Sequence, residues 1–213
     1  MHQPVEDQIR FFLGSNTRNG FVSYFDQLQN PRSGAQLLVL KGGPGCGKSS
    51  TLRKLAAALE AREADVEYFP CASDPQSLDA VALYDGSIAA LDGTPPHVLE
   101  PLHPGAYETL IPLADALDES VLRPRLIEIQ SLCYAISMRH RGATARIAAA
   151  CTLLDDARSN ALSYIDLTAC DAFVEEIKAR VRNAPRGERR LRLLSAVSVG
   201  EVVFFEETVR RLC

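Results

Sequence analysis

A glycine-rich octapeptide constrains the fold more than any other feature of this sequence. Its residues are Gly42, Gly43, Pro44, Gly45, Cys46, Gly47, Lys48 and Ser49. The order fits the motif G-x-x-x-x-G-K-[ST]. The apolar run 36–41 precedes it and is too short for a helix, so it predicts a buried strand. After it, apolar residues from Leu52 to Leu59 recur at helical spacing and predict a helix from about Gly47 to Arg62.

This strand, loop and helix predict a phosphate-binding loop. Main-chain N–H groups that wrap a diphosphate need an unhindered backbone and positive φ, which glycine supplies. We expect residues 42–50, from Gly42 to Ser50, to cradle the phosphates at the positive end of the helix dipole. Lys48 would contact the β and γ phosphates, and the Ser49 hydroxyl would bind Mg²⁺. The expected cofactors are therefore ATP, or another nucleoside triphosphate, and Mg²⁺.

A magnesium nucleotide site needs a second anionic ligand near Ser49. Two more strands are predicted at residues 65–69 and 87–91, and Asp92 closes the second. Asp92 would then lie at the carboxyl edge of the sheet beside the loop, so Ser49 and Asp92 are the predicted metal ligands. Asp74, which follows the middle strand, is the alternative. Asp85 is less favoured because it precedes its strand.

The spacing of these elements predicts the fold class. Strands separated by helical stretches imply right-handed crossovers and a mostly parallel sheet. We expect an α/β protein with the three-layer αβα arrangement of P-loop NTPases and a long helical hairpin as an insert. Five prolines in the stretch from Gly93 to Pro112, with Pro112 included, predict an extended loop.

That loop carries the candidates for positioning a nucleophile. No glutamate follows Asp92, because Gly93 and Thr94 stand there, so a base must come from elsewhere or hydrolysis is slow. His97 could act as an acid, a base or a phosphate sensor, or have no chemical role. The other polar candidates on the loop are Thr94, Glu100 and His103. A metal site made of His97 and His103 is disfavoured, since the loop adds no cysteine and no second histidine pair.

Composition and charge exclude several classes of protein. The net charge of −4 gives no global cationic field for nucleic acid or anionic lipid. No run approaches the ~20 apolar residues of a membrane span, and the six cysteines form no C-x-x-C pair. We therefore expect a cytoplasmic protein with reduced thiols and no membrane partner. Cys46 stands where Thr or Ser is common in such loops. It is either a simple substitution by another small side chain or a thiol whose oxidation blocks nucleotide binding.

The region after the loop predicts helices. Apolar residues between Leu122 and Ala161 keep a helical period, with a break or bend expected near Gly142. Thr168 with Asp171 resembles a capping box, which predicts the start of a helix that extends to Val181. The insert carries several arginines, and we interpret them as part of a solvated helix face rather than as an arginine finger or a nucleic-acid contact. They are Arg123, Arg125, Arg139, Arg141 and Arg146. The expected domains are a core at 1–117, an insert at 118–182, and a linker with a strand segment at 183–213.

The end of the chain weakly repeats its beginning. Arg190, Gly200, Val202, Phe204, Phe205 and Glu206 follow Arg10, Gly20, Val22, Tyr24, Phe25 and Asp26 by 180 positions. Each stretch has a basic start, a glycine, and an aromatic pair followed by an acid. This spacing indicates a duplication whose second copy stops before a glycine loop, although chance similarity of short apolar stretches is the alternative.

With these residues assembled, the chain resembles an uncharacterised bacterial family of P-loop ATPases, or nucleotide-kinase-like proteins, with two tandem P-loop halves. The stretches that carry the resemblance are FLGSNT from Phe12 with Gly20-Phe21, LKGGPGCGKSS from Leu40, CASDPQSLD from Cys71 and LDGTPPHVLEP from Leu91. The resemblance implies that Asp74, Asp92, Thr94 and His97 are active-site residues, and it strengthens the duplication hypothesis. Cys46, and an end at Cys213 where relatives continue, depart from the pattern. The resemblance therefore implies pairing either with a second P-loop half or with another copy.

These features together predict a Mg²⁺-dependent ATP-binding protein that acts as an ATPase or phosphoryl transferase. Lys48 would neutralise developing charge, and His97 or Asp74 would position the nucleophile. The alternatives are a small-molecule or nucleotide kinase and a nucleotide-dependent switch with little turnover. In the switch, binding would reorder the 93–112 loop and the insert.

Overall fold

The computed structural model describes residues 8–181, 190–198 and 201–212. The strands are β1 (Ile9–Arg10), β2 (Gly14–Thr17), β3 (Gly20–Ser23), β4 (Gln36–Lys41), β5 (Val66–Pro70), β6 (Leu78–Leu83), β7 (Ile88–Asp92), β8 (Glu108–Pro112), β9 (Ser195–Val197) and β10 (Val202–Phe204). The α-helices are α1 (Lys48–Glu60), α2 (Glu119–Leu122), α3 (Leu126–Leu162), α4 (Leu167–Val181) and α5 (Glu206–Leu212). Short 3₁₀ turns cover Phe25–Leu28, Leu113–Ala116 and Arg123–Arg125.

A six-stranded, mostly parallel sheet organises the core, so the expectation of an α/β fold is confirmed at that level. The strand order is β1-β5-β6-β7-β4-β8, and β6 alone runs against its neighbours. The predicted strands correspond to β4, β5 and β7. Strands β6 and β8 were not predicted, and β8 occupies the end of the region expected to be only a loop.

The expected crossover between β5 and β7 is wrong, because β6 lies between these two strands and pairs with both of them. Short connections join β5 to β6 and β6 to β7, so the three strands form an antiparallel meander. The second turn is tight, because the Asp85 carboxylate accepts hydrogen bonds from the main chain and hydroxyl of Ser87. Asp85 therefore lies at the edge away from the glycine loop, as the sequence indicated.

The two faces of the sheet are covered differently. Helix α1 buries Leu52, Ala56 and Leu59 against one face. The opposite face packs on Phe25 and Leu28 of the first 3₁₀ turn, and on loop residues. Within the described ranges no α-helix contributes to this second cluster. The expectation of an α-helical layer on each face of the sheet is therefore wrong for the described residues.

The loop between β7 and β8 is fixed to the sheet by charged groups. Lys41, at the end of β4, donates from Nζ to the carbonyls of Gly93 and Leu99, both at 2.9 Å, and lies 2.7 Å from the Glu100 carboxylate. Glu108 is buried and accepts the main-chain N–H of His103 at 2.8 Å. These contacts place the first residues of the loop over the carboxyl edge of the sheet.

Helix α3 runs unbroken for 37 residues, so the expected break near Gly142 is wrong. One glycine costs a helix only about 1 kcal/mol relative to alanine, and the Arg146 guanidinium donates to the Gly142 carbonyl at 3.0 Å. Helix α4 begins one residue before Thr168, with the Asp166 carboxylate accepting the Thr168 N–H at 2.9 Å. Among the helices described, none has the length and apolar content that a membrane crossing requires.

The proposed repeat corresponds to two similar hairpins. Gly14 pairs with Ser23 in the first hairpin, and Ser195 pairs with Phe204 in the second. The separation of the two hairpins along the chain is therefore one residue longer than the 180 positions of the sequence match. The hairpins meet where Phe12 and Leu193 exchange main-chain hydrogen bonds of 2.7 and 3.1 Å. Gly200 and most of the expected linker, 182–189, lie outside the described residues.

Candidate functional site

The glycine loop of residues 42–49 turns sharply into α1. Gly45 and Gly47 have φ of 80° and 90°, the left-handed region where a side chain is strained. Within the described part of the chain, several main-chain N–H groups here donate to no acceptor: those of Gly45, Gly47, Lys48, Ser49 and Ser50. A loop and helix N-terminus with free N–H groups is suited to an anion.

Lys48 folds back over this loop. Its Nζ donates to the carbonyls of Gly42 at 2.8 Å and Gly43 at 3.0 Å. The same atom lies 3.5 Å from Asp92 Oδ2, and both side chains are largely buried. The structure therefore brings together the predicted phosphate-binding lysine and the predicted acidic ligand.

Ser49 connects the start of α1 to the unpredicted strand β6. Its Oγ accepts the main-chain N–H of Leu78 at 2.9 Å, and a lone pair of the hydroxyl remains for a cation. Leu78 is the first residue of β6, so the magnesium-ligand candidate and the start of that strand are held in register.

Asp92 is the last residue of β7 and is oriented by the residues that follow it. Its Oδ1 accepts the main-chain N–H of Thr94 at 2.9 Å and also the Thr94 hydroxyl. A Cβ on Gly93 would lie 2.5 Å from Val39 Cγ1, so the chain passes too close to β4 for any larger residue. Thr94 thus positions the Asp92 carboxylate.

Sequence reasoning missed Asp79, the second residue of β6. Ala80 is the partner of Leu91, and one further step in this antiparallel register sets Asp79 opposite Asp92. Asp79 is 7% exposed, and burial, reinforced by the charge of Asp92, raises its pKa to about 7. The signal available in the sequence was a single acid within the apolar run from Leu78 to Leu83.

His97 is buried behind the two carboxylates. Its ring stacks on Phe25 with centroids 4.1 Å apart, and burial lowers its pKa although Asp92 opposes the shift. Neither ring nitrogen has a hydrogen-bond partner among the described residues. One ligand atom each from Asp79, Asp92 and His97 lies within 4.8 Å of the others.

A cavity of about 540 Å³ opens between the glycine loop and β6. It is lined by Lys48, Ser49, Asp79 and Asp92, with the exposed Asp74 also on its wall. This volume falls in the range of small-ligand pockets.

Other candidates are placed away from the cavity or beside it. Glu100 pairs with Lys41, and His103 is exposed. Cys46 lies against Gly42, where a Cβ would meet its Sγ at 2.5 Å, so the thiol packs inside the loop. The insert arginines are exposed, and Arg123 pairs with Glu119 at 2.5 Å.

One family model matches the chain. It is described as Nephrocystin 3, N-terminal, and it covers residues 21–108, less than half of the sequence. The matched segment contains the glycine loop, Asp79, Asp92 and His97. Neither the curated proteins nor the solved structures provide a significant match.

Proposed function

We propose that the chain binds a nucleoside triphosphate, ATP in the first instance, as its Mg²⁺ complex. The observation that carries the proposal is the set of unpaired N–H groups at the glycine loop and the start of α1, because the residues that bear them line a cavity that Asp92 also lines. Donors, a fixed cation, a hydroxyl and a carboxylate are the groups that P-loop NTPases use for triphosphate and magnesium. The arrangement supports a P-loop NTPase-like core.

The bound phosphates would replace the internal partners of Lys48. Its two carbonyl acceptors compete poorly with a phosphate oxygen, because a hydrogen bond to a charged acceptor is about twice as strong. On binding, the ammonium group would turn from Gly42 and Gly43 towards the β and γ phosphates. Ser49 and Asp92 would hold the Mg²⁺, with Thr94 keeping Asp92 in place.

The reaction we propose is phosphoryl transfer, to water as a slow ATPase or to a small acceptor. Asp79 lies opposite the expected magnesium ligand Asp92, and burial raises its pKa to about 7, a value that suits a group that exchanges a proton near neutral pH. Asp74 lies on the cavity wall, where it could contact an acceptor.

Turnover measurements test this function. ADP release should require Mg²⁺ and should fall about a hundredfold or more in Lys48→Ala and in Asp92→Asn, since each removes charge stabilisation from the transition state. Lys54→Ala, on an exposed position of the same helix, is the matched control and should retain wild-type turnover. Equal turnover in all four proteins would contradict the proposal.

A further inference from the structure

Three buried titratable side chains meet at the carboxyl edge of the sheet. Asp79, Asp92 and His97 are 7%, 9% and 5% exposed, and their nearest ligand atoms lie within 4.8 Å of one another. Burying carboxylates is costly unless a cation or hydrogen bonds compensate. Of these three side chains, the proposed nucleotide site uses only Asp92 as a metal ligand, and binding of the triphosphate does not require a buried imidazole at His97.

The two carboxylates oppose each other on neighbouring strands. Like charges directly across a strand pair destabilise a sheet. Lys48 Nζ is 3.5 Å from Asp92 Oδ2, but the same ammonium group also donates hydrogen bonds to two carbonyls of the glycine loop. A second positive charge between the carboxylates would remove the repulsion even when Lys48 turns towards phosphate.

His97 provides an independent observation. Only 5% of its surface is exposed, and both ring nitrogens are without a hydrogen-bond partner among the described residues. Phe25 stacks on the ring and Phe21 approaches it at 6.0 Å, so packing fixes the plane of the imidazole. A buried ring held rigidly with an unpaired nitrogen near two carboxylates is suited to bind a cation.

We propose that Asp79, Asp92 and His97 bind a first-row transition-metal dication of the Zn²⁺ or Mn²⁺ class. One imidazole nitrogen and two carboxylate oxygens suit such ions, whereas Mg²⁺ prefers oxygen ligands alone. Thr94 engages Asp92 Oδ1, so the ion would bind Oδ2, the oxygen that lies 3.5 Å from Lys48 Nζ. Metal–ligand distances of about 2.0–2.2 Å would require the three atoms to approach one another by roughly 1 Å, which rotation of the two carboxylates towards the fixed ring would supply.

Zinc titration of the metal-free full chain tests the site. By calorimetry, the wild type should bind one Zn²⁺ with micromolar or tighter affinity, in the presence of millimolar Mg²⁺. His97→Phe keeps the ring stack on Phe25 but removes the nitrogen, and it should weaken Zn²⁺ by about tenfold or more; Asp79→Asn should do the same without altering the stack. Absence of stoichiometric binding, or unchanged affinity in both variants, would overturn the proposal.

Two further measurements distinguish this site from a cysteine thiolate site and from the nucleotide site. Co²⁺ bound by the three side chains should show weak visible bands, whereas intense near-ultraviolet bands would indicate cysteine thiolate ligands and overturn the assignment. Lys48→Ala should bind Zn²⁺ as well as the wild type or more tightly, because it loses a positive charge next to Asp92. Loss of Zn²⁺ binding in that variant would overturn the site, while failure of the wild type to bind nucleotide would contradict only the proposed function.

Discussion

Asp79 and Asp92 face each other across the antiparallel strands β6 and β7, and Lys48 reaches the second of them at 3.5 Å. The candidate site is therefore built from three segments: the glycine loop, the start of one strand and the end of the next. Its charge balance depends on strand register as much as on the loop motif.

Asp79 should make the stability of the nucleotide- and metal-free protein depend on pH. Burial raises its pKa to about 7 from 3.8, so between about pH 4 and 7 the folded state retains a proton that the unfolded state has lost. The contribution of Asp79 to the free energy of unfolding is therefore greatest below pH 4, and it is lost as the pH rises through 7. Urea unfolding should give a wild-type stability that falls by a few kcal/mol, on the order of the full shift, from pH 4 to pH 8.

Asp79→Asn should flatten that dependence, because the amide does not titrate. The exposed Asp115→Asn serves as the control and should keep the wild-type profile. If Asp79→Asn and wild type lose equal stability over this range, Asp79 is not the group responsible.

Gly47→Ala should impair nucleotide binding more than folding. Gly47 has φ of 90° with open space around the missing Cβ, so the substitution meets backbone strain of about 1–2 kcal/mol and no clash. Gly105, at φ of 78° and also in open space, offers a matched control outside the cavity lining. Both variants should lose similar stability in thermal unfolding, but only Gly47→Ala should lose about tenfold or more in ATP affinity.

Ser49→Ala should reduce the Mg²⁺-dependent part of ATP affinity. The hydroxyl both faces the expected cation and accepts the Leu78 N–H, so its loss removes a ligand and leaves a donor unpaired, at about 1–3 kcal/mol. Ser49→Thr retains the oxygen and should behave like the wild type. Fluorescence titration of a labelled nucleotide with and without Mg²⁺ measures this, and an unchanged Mg²⁺ effect in Ser49→Ala would exclude the hydroxyl as a ligand.

Arg192→Ala should destabilise the core. Arg192 lies 3.2 Å from the buried Glu67 of β5, and Arg190 is 3.8 Å away from the same carboxylate. Removing one partner of a buried ion pair costs about 3–5 kcal/mol, reduced here because Arg190 remains. Arg210→Ala breaks only exposed pairs with Glu206 and Glu207 and should cost less than about 1 kcal/mol. Similar denaturant midpoints for the two variants would contradict this difference.

The sequence was most informative where the signal was local. The run 36–41 and the glycines that follow it define a strand, a turn and a helix start without reference to the rest of the chain. Asp92 could be placed because an apolar strand ends at it. In each case short-range pattern and backbone chemistry suffice.

Asp79 could not be placed because its role depends on long-range pairing. Leu78 to Leu83 contains one acid within an apolar run, and only the meander turns the strand so that this acid meets Asp92. His97 was named from its loop, but its burial against Phe25 depends on a 3₁₀ turn that precedes it by some seventy residues. We predicted a break at Gly142 from the low helix propensity of glycine alone, whereas the residues on either side of it continue the helix.

Equilibrium titration of the full chain with ATP tests the central claim most directly, namely that the glycine loop binds a triphosphate. The wild type and Lys54→Ala should bind ATP with Mg²⁺ at similar affinity, whereas Lys48→Ala should lose about a hundredfold, equivalent to about 2.7 kcal/mol. The same affinity in all three proteins, or no ATP binding by the wild type with Mg²⁺ present, would contradict the account.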